Sequence, residues 1–264
     1  MEHRRLGFIG AGNMAFAIAS GVISQVEVTV FDTHPEQYER FRAIGAKTAG
    51  SLTELAAAAD VLFFSVKPQN FEEVLGELAR TPLDGEKLFV SIAAGITTSY
   101  IKKMLPAAKK VIRVMPNTPL MVGAGAAAIS PADGVPEEDV QFVEAVFSAA
   151  GTARRIDEAQ MDAIVSVNGS SPAFLYYFAD VVAKHASERG IERETALALF
   201  CQTMVGSAKM LMESGHTPEE LIAMVSSKGG TTIAAMDALR KEGFEAAVVA
   251  AMDACEKRSG ELSK

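Results

Sequence analysis

Short apolar runs alternate with stretches of helical periodicity through the first 156 residues. Leu6–Ile9 is apolar and ends in glycines, and a helical pattern follows from Met14 to Ile23. Glu27–Phe31 reads as a second strand, after which Pro35 opens a helix that Gly45 closes. Ser51 and Glu54 have capping-box spacing ahead of an Ala-rich helix. Val61–Ser65 and Leu88–Ile92 are unbroken apolar runs, as expected of strands buried on both faces. Val111–Val114 and Met121–Ile129 extend the series of strands. Pro136–Ala149 predicts a helix with acids in its first turn, and Thr152–Ile156 the closing strand. Alternation of this kind predicts an α/β doubly wound domain over 1–156, with helices on both faces of the sheet.

Past Asp157 the period changes and no strand pattern remains. Pro172–Arg189 and Glu192–Ser214 are helix-periodic, each ending at a glycine. Thr217-Pro218-Glu219-Glu220 supplies an N-cap, a proline at the first helical position and a capping glutamate. Helices over Thr232–Lys241 and Phe244–Ser259 follow. Phe174, Leu175, Phe178, Val181 and Val182 leave little polar surface on their helix. Such faces pack either on neighbours in the same chain or on a second copy. The expectation taken forward is an all-α C-terminal dimerisation domain over 157–264.

Composition narrows the function classes. A formal charge of −8, with no Lys/Arg-rich run, argues against nucleic-acid binding, which needs a cationic face. Cys201 and Cys255 belong to no metal-binding or redox motif, so free thiols in a reducing compartment are expected, with a disulfide between them the alternative that nothing requires. The start, MEHRRLGFIG, has a basic tip without a secretory apolar core, and no stretch is read as approaching a membrane span. A cytoplasmic protein without membrane partners is the expectation.

The candidate chemistry begins at Gly10-Ala11-Gly12-Asn13-Met14-Ala15, which fits G-x-G-x-x-G/A at the first strand–helix junction. Gly10 suits a tight turn, Gly12 lets backbone approach a pyrophosphate, and Ala15 permits close helix packing. Asp32 ends the second strand, where an acid pairs with adenosine-ribose hydroxyls and repels a 2′-phosphate. That leans toward NADH, although His34 and Arg40 are near enough in sequence to offer a 2′-phosphate some charge. Val66-Lys67-Pro68-Gln69, Ser91–Gly95 and Met115–Pro119 follow other strands at the same edge, and Asn117 can hydrogen-bond nicotinamide or substrate. Ser171 suits an N-cap with Pro172 behind it, leaving Ser170 for the cleft. Far downstream, Gly229-Gly230-Thr231-Thr232 precedes an apolar helical stretch and makes a socket for a small carboxylate. One of the two threonines is expected to cap that helix while the other meets a ligand. The four histidines share no motif with an acid, and metal-ligand, nucleophile-elbow and phosphate-transfer patterns are missing. Hydride transfer suits this inventory, because the cofactor carries the chemistry.

Together these motifs resemble pyrroline-5-carboxylate reductase over nearly the whole chain. The matching pieces are FIGAGNMA at 8–15, VKPQ at 66–69, SIAAG at 91–95, RVMPNTP at 113–119, GSSPAF at 169–174, GSAKM at 206–210 and SSKGGTT at 226–232. The resemblance implies a Rossmann-type domain joined to a helical, dimer-forming domain. It also implies NADPH- or NADH-dependent reduction of 1-pyrroline-5-carboxylate to L-proline. It assigns the dinucleotide to Gly10, Gly12, Asn13, Met14, Asp32, Val66, Lys67 and Pro68, with Ala93 and Gly95 near the nicotinamide. Gly230, Thr231 and Thr232 would hold the substrate carboxylate, Thr232 would offer its hydroxyl to the ring nitrogen, and Ser170 would line the site wall. In the family a partner's helical domain completes the cleft. Lys228 stands where the family has proline, and Ser171 and Phe174 where it has Gly and Tyr. Asp32 is less typical of its NADPH preference. A related imine or small-acid oxidoreductase, and a dinucleotide-binding paralogue without turnover, are the alternatives; the intact glycine loop and GGTT segment favour the reductase.

Overall fold

In the computed structural model, residues 4–262 are described, so Met1–His3 of the basic tip and Ser263–Lys264 lie outside the described residues. Two compact units form: one runs to Pro172 and resumes at Asp253, and the other is Ala173–Met252. The first is built on strands β1 (Leu6–Ile9), β2 (Val28–Phe31), β3 (Lys47–Thr48), β4 (Val61–Phe64), β5 (Leu88–Ser91), β6 (Lys110–Pro116), β7 (Gly125–Pro131) and β8 (Gly151–Arg155). Helices α1 (Asn13–Val22), α2 (Tyr38–Ala43), α3 (Leu52–Ala58), α4 (Phe71–Leu78), α5 (Thr98–Met104), α6 (Glu137–Ser148) and α7 (Met161–Ile164) accompany them.

The strands form one sheet in the order β3-β2-β1-β4-β5-β6-β7-β8. Alternate side chains of each apolar run enter opposite cores, as the two-residue strand repeat requires. Val61 and Phe63 of β4 join the core that holds Leu6 and Phe8, whereas Leu62 and Phe64 join the one that holds Ile9 and Phe89. The Phe8 and Phe63 rings stack with centroids 4.8 Å apart. A run buried on both faces has no polar side to show, which is why the sequence there is continuously apolar. The chain builds β2 and β3 on one side of β1 and then returns to place β4 on the other. The strand order therefore reverses between β1 and β4, and in such sheets ligands gather at the carboxyl ends beside that point.

The structure corrects several local expectations. Met121–Ile129 is no single strand: Thr118–Val122 is a 3₁₀ turn with Pro119 near its start, closed by Gly123 at φ +72°, and only then does β7 begin. β7 pairs antiparallel with β6, because this link is too short to carry a crossover helix. Ser51 caps α3 through the Glu54 N–H, but the Glu54 carboxylate accepts from Gly50 N at 2.7 Å and leaves the capping box half made. Ser171 is no N-cap. The backbone winds from α7 through a π turn, Val165–Gly169, into the next helix, and Ser171 Oγ donates to Val167 O at 2.7 Å. A π turn one step upstream suits Pro172, whose ring cannot sit on a regular preceding turn. Helices α4 and α5 are additions to the predicted elements: Phe71, Leu75 and Leu78 make a buried stripe, and Thr97 caps α5 through Tyr100 N at 3.1 Å.

The second unit is helical: α8 (Ser171–Glu188) leads in, α9 (Arg193–Glu213), α10 (Pro218–Met224) and α11 (Thr231–Lys241) follow, and α12 (Phe244–Leu262) leads out. Phe178 packs edge-on against Phe200 and faces Phe244. Asp180 holds Lys184 and Arg193, each at 2.6 Å. The Thr217 capping box forms as expected. By length and composition α9 is apolar enough to cross a membrane, which corrects the expectation that no stretch approaches a span. Its charges sit near its ends, at Arg193, Glu194, Lys209 and Glu213, and small polar residues hide the apolar average from a search for unbroken runs. Between α9 and α10 lies an apolar groove of about 950 Å³, walled by Met210, Leu221, Ile222 and Val225.

Candidate active site

The loop after β1 turns at Gly10, whose φ of +100° suits glycine and where a Cβ would lie 2.8 Å from Ser65 O. Gly12 is the N-cap of α1, no side chain caps that helix, and a Cβ there would meet nothing within 4 Å. Backbone N–H groups at the positive end of α1 thus border open space, the arrangement a pyrophosphate needs. Ala15 is buried against the sheet, as its role in close packing requires.

Asp32 closes the loop from the end of β2. Its Oδ2 accepts from Ala11 N at 2.6 Å and its Oδ1 from His34 N at 2.9 Å. Tyr38 pins the same residue's backbone, donating to Asp32 O at 2.7 Å and accepting from Asp32 N at 2.9 Å. The carboxylate remains 17% exposed, so it can still meet ribose hydroxyls. Arg40 lies against the loop: Nη1 donates to Asn13 Oδ1 at 2.8 Å and Nη2 donates to Ala11 O. Val66 Cγ1 comes within 3.1 Å of the Cβ position of Gly10, which joins the Val66-Lys67-Pro68 turn to the glycine loop. Ser65 Oγ beside them is buried with no hydrogen-bond partner. An open cradle, an uncapped helix end, an exposed acid edge and an orphaned hydroxyl fit a dinucleotide.

Three of the predicted site residues also have partners or neighbours within the protein. Asn117 is 8% exposed, and its Oδ1 accepts from Ala126 N at 2.8 Å, tying the 3₁₀ turn to β7. Ala93 is buried in the core cluster beneath the sheet edge. Gly95 has φ +72°, and a Cβ there would strike the backbone of Leu262 at 2.8 Å, so the last turn of α12 accounts for the glycine. Ser170 Oγ accepts from Cys255 Sγ at 3.1 Å, beside a cluster containing Met115 and Val165. Asn168 Nδ2 donates to Met115 O at 2.8 Å and Ala126 O at 3.1 Å, while its Oδ1 is buried without a partner. Sequence reasoning found neither contact, because their partners are far apart in the chain. Beneath them Arg113, buried in β6, lies 3.3 Å from Asp162, which also accepts from Ser259 Oγ at 2.8 Å. That network holds the end of α12 to β6 and α7 within the first unit.

In the second unit the socket is built around α11. Gly229 has φ +74°, Gly230 N donates to Ser227 O at 2.8 Å, and a Cβ at Gly230 would lie 2.5 Å from Ser227 Oγ. Gly230 is the N-cap and Thr231 the first helical residue, so neither threonine caps the helix as expected. No side chain closes the first turn, and Thr232 is half-buried within it. Backbone donors and the Thr231 and Thr232 hydroxyls are grouped at a helix N-terminus, which suits a carboxylate. Lys228 is exposed at the edge of this turn.

Comparison with known proteins bears on both loops. Residues 158–262 match the family described as pyrroline-5-carboxylate reductase dimerisation, and residues 5–95 match one described as NADP oxidoreductase, coenzyme F420-dependent. The pyrroline-5-carboxylate reductase of Escherichia coli is 39% identical over 267 residues, covering 99% of each chain. The chain belongs to the pyrroline-5-carboxylate reductase family. Among solved structures, the family member from Coxiella burnetii superposes with a TM-score of 0.90 at 31% identity, covering 99% of each chain. The pyrroline carboxylate reductase of Plasmodium falciparum, with NADP bound, does so at 0.89 with 27% identity over the whole of both chains. Membership settles the fold as a Rossmann-type sheet followed by a helical dimerisation region.

Proposed function

We propose that this protein reduces 1-pyrroline-5-carboxylate to L-proline, the last step of proline biosynthesis, using NADPH or NADH. The observation that carries the reading is the Gly229–Thr232 turn with its open N-cap at Gly230, in a chain that also bears the open cradle at Gly12. In the division of labour we propose, residues 1–156 bind the dinucleotide and 157–264 bind substrate and self-associate. Gly10, Gly12, Asn13 and Met14 hold the pyrophosphate, Asp32 the adenosine ribose, and Val66, Lys67 and Pro68 flank the cofactor. When bound, the nicotinamide supplies the hydride.

The protein's own residues bind and orient. The backbone amides of Gly230, Thr231 and Thr232 take the substrate carboxylate, and Thr232 Oγ1 holds the ring nitrogen. Fixing a planar ring at both points supplies orientation, and the carboxylate contact supplies the binding energy that enforces it. A cyclic imine protonated at nitrogen needs no strong general acid. Ser170 lines the wall. A second copy covers the exposed apolar faces of the helical unit and completes the cleft, in the cytoplasm. Steady-state oxidation of NADPH and NADH, with and without 1-pyrroline-5-carboxylate, tests the reaction. Substrate-dependent oxidation yielding proline is expected; dinucleotide binding without oxidation of either cofactor would overturn the substrate assignment.

A further inference from the structure

Arg40 has no part in the reaction as proposed, yet its side chain lies against the dinucleotide loop. Both terminal nitrogens are committed there, Nη1 to Asn13 Oδ1 at 2.8 Å and Nη2 to Ala11 O. The guanidinium sits over two rings, 5.2 Å from the Phe16 centroid and 5.6 Å from that of Phe41. Its Nε is buried with no acceptor. Residue 11 is therefore gripped by opposite charges, its N–H by the Asp32 carboxylate at 2.6 Å and its carbonyl by Arg40. A guanidinium only donates, so it selects the oxygen of the Asn13 amide and turns the NH₂ group away. Asn13 is exposed and opens α1 next to the open space at Gly12.

We propose that Arg40 is a positioning residue for the dinucleotide: it clamps the Ala11 turn and orients Asn13 so that the amide donors face the pyrophosphate. The inference rests on the dinucleotide reading of this loop. It carries a corollary for specificity. The loop takes one N–H from each terminal nitrogen and holds the guanidinium over Phe16 and Phe41, so a positioning role acts on NADH and NADPH alike.

The test is direct binding, by calorimetry or by the emission of the reduced nicotinamide, in a chain that has no tryptophan to interfere. Arg40→Met keeps an unbranched apolar side chain next to Phe16 and Phe41 but loses the donors and the cation. It should weaken NADH and NADPH by the same factor, about tenfold, the scale of one charge-assisted hydrogen bond. Asn13→Ala, at an exposed position that folding tolerates, should weaken both by a similar factor. The double variant should be little worse than either single one, because the two side chains act as a unit. The KM for the imine at saturating dinucleotide should not move. Unchanged binding in Asn13→Ala, additive losses in the double variant, or a loss for NADPH more than about threefold beyond that for NADH would each overturn the proposal. If the unmodified protein binds neither dinucleotide, the reading of the loop itself falls with it.

Discussion

The two units spend their apolar residues in opposite ways. In the first, Phe8, Phe63, Phe64 and Phe89 are wholly buried, and the helices over the sheet use up both of its faces. In the second, Ala179, Ala183 and Ala196 are the buried hydrophobic residues among those described. The large exposed ones, apart from Met121, Val122 and Val167, all lie between Phe174 and Val249. A sheet closed by its own helices is a finished core. A helical unit with Leu199, Leu211, Met212 and Val225 more than half exposed is a surface awaiting another. The match of 158–262 to a dimerisation family says what kind of surface that is. The contrast separates two kinds of residue: those whose loss damages the fold of one copy, and those whose loss damages assembly.

One pair of substitutions can break that contrast. Phe63→Ala removes a ring stacked on Phe8 in a core that cannot refill the space, and should destabilise by about 3–5 kcal/mol in thermal or urea unfolding. Leu211→Glu, 52% exposed in the isolated chain, should leave dinucleotide affinity unchanged. It should weaken self-association by at least about a hundredfold, because a lone charge would be buried at the contact. Equal loss of stability in both variants, with no change in sedimentation, would mean that the helical faces are finished surfaces after all.

The same division sharpens at the site. Thr232→Ala removes a hydroxyl from the second unit and leaves the sequence of the dinucleotide loop intact. Turnover should fall on the order of a hundredfold, the scale of a positioned hydrogen-bonding group in a transition state. The affinity for NADH or NADPH should stay the same. Retained turnover would take Thr232 out of the mechanism.

What could be read from the chain was local. Gly10, Gly12 and Asp32 declare themselves because a tight turn, an open approach and a strand end each need a particular residue at a fixed spacing. Strands β4 and β5 were legible because burial on both faces leaves an unbroken apolar run. Pairing direction was not: nothing within Gly125–Pro131 distinguishes a strand that runs antiparallel to its neighbour, since that depends on the length of the link before it. Polar residues at element ends were the least legible. Asn117 and Ser171 carry groups that serve equally well for a ligand, a cap or a neighbouring backbone, and the choice is made by chain folded against them. The contacts of Arg40 with Asn13 and of Cys255 with Ser170 join residues 27 and 85 positions apart, with no local signal.

The smallest expected effect tests the most local of these readings. Asp32 stands at the strand end where an acid favours a ribose hydroxyl over a 2′-phosphate. In the folded protein it has a second task, accepting from Ala11 N and His34 N. Asp32→Ala should therefore do two separable things. Both dinucleotides should bind less tightly, because the turn loses one side of its grip. The ratio of kcat/KM for NADPH over NADH should rise by about tenfold, because the repulsion of a 2′-phosphate is gone. Asp32→Asn keeps an acceptor for Ala11 N and should show the change of ratio with less loss of affinity. A common loss without a change of ratio would assign Asp32 to the loop alone. The selector would then have to be sought among the other side chains at the end of β2, with Thr33 and His34 nearest.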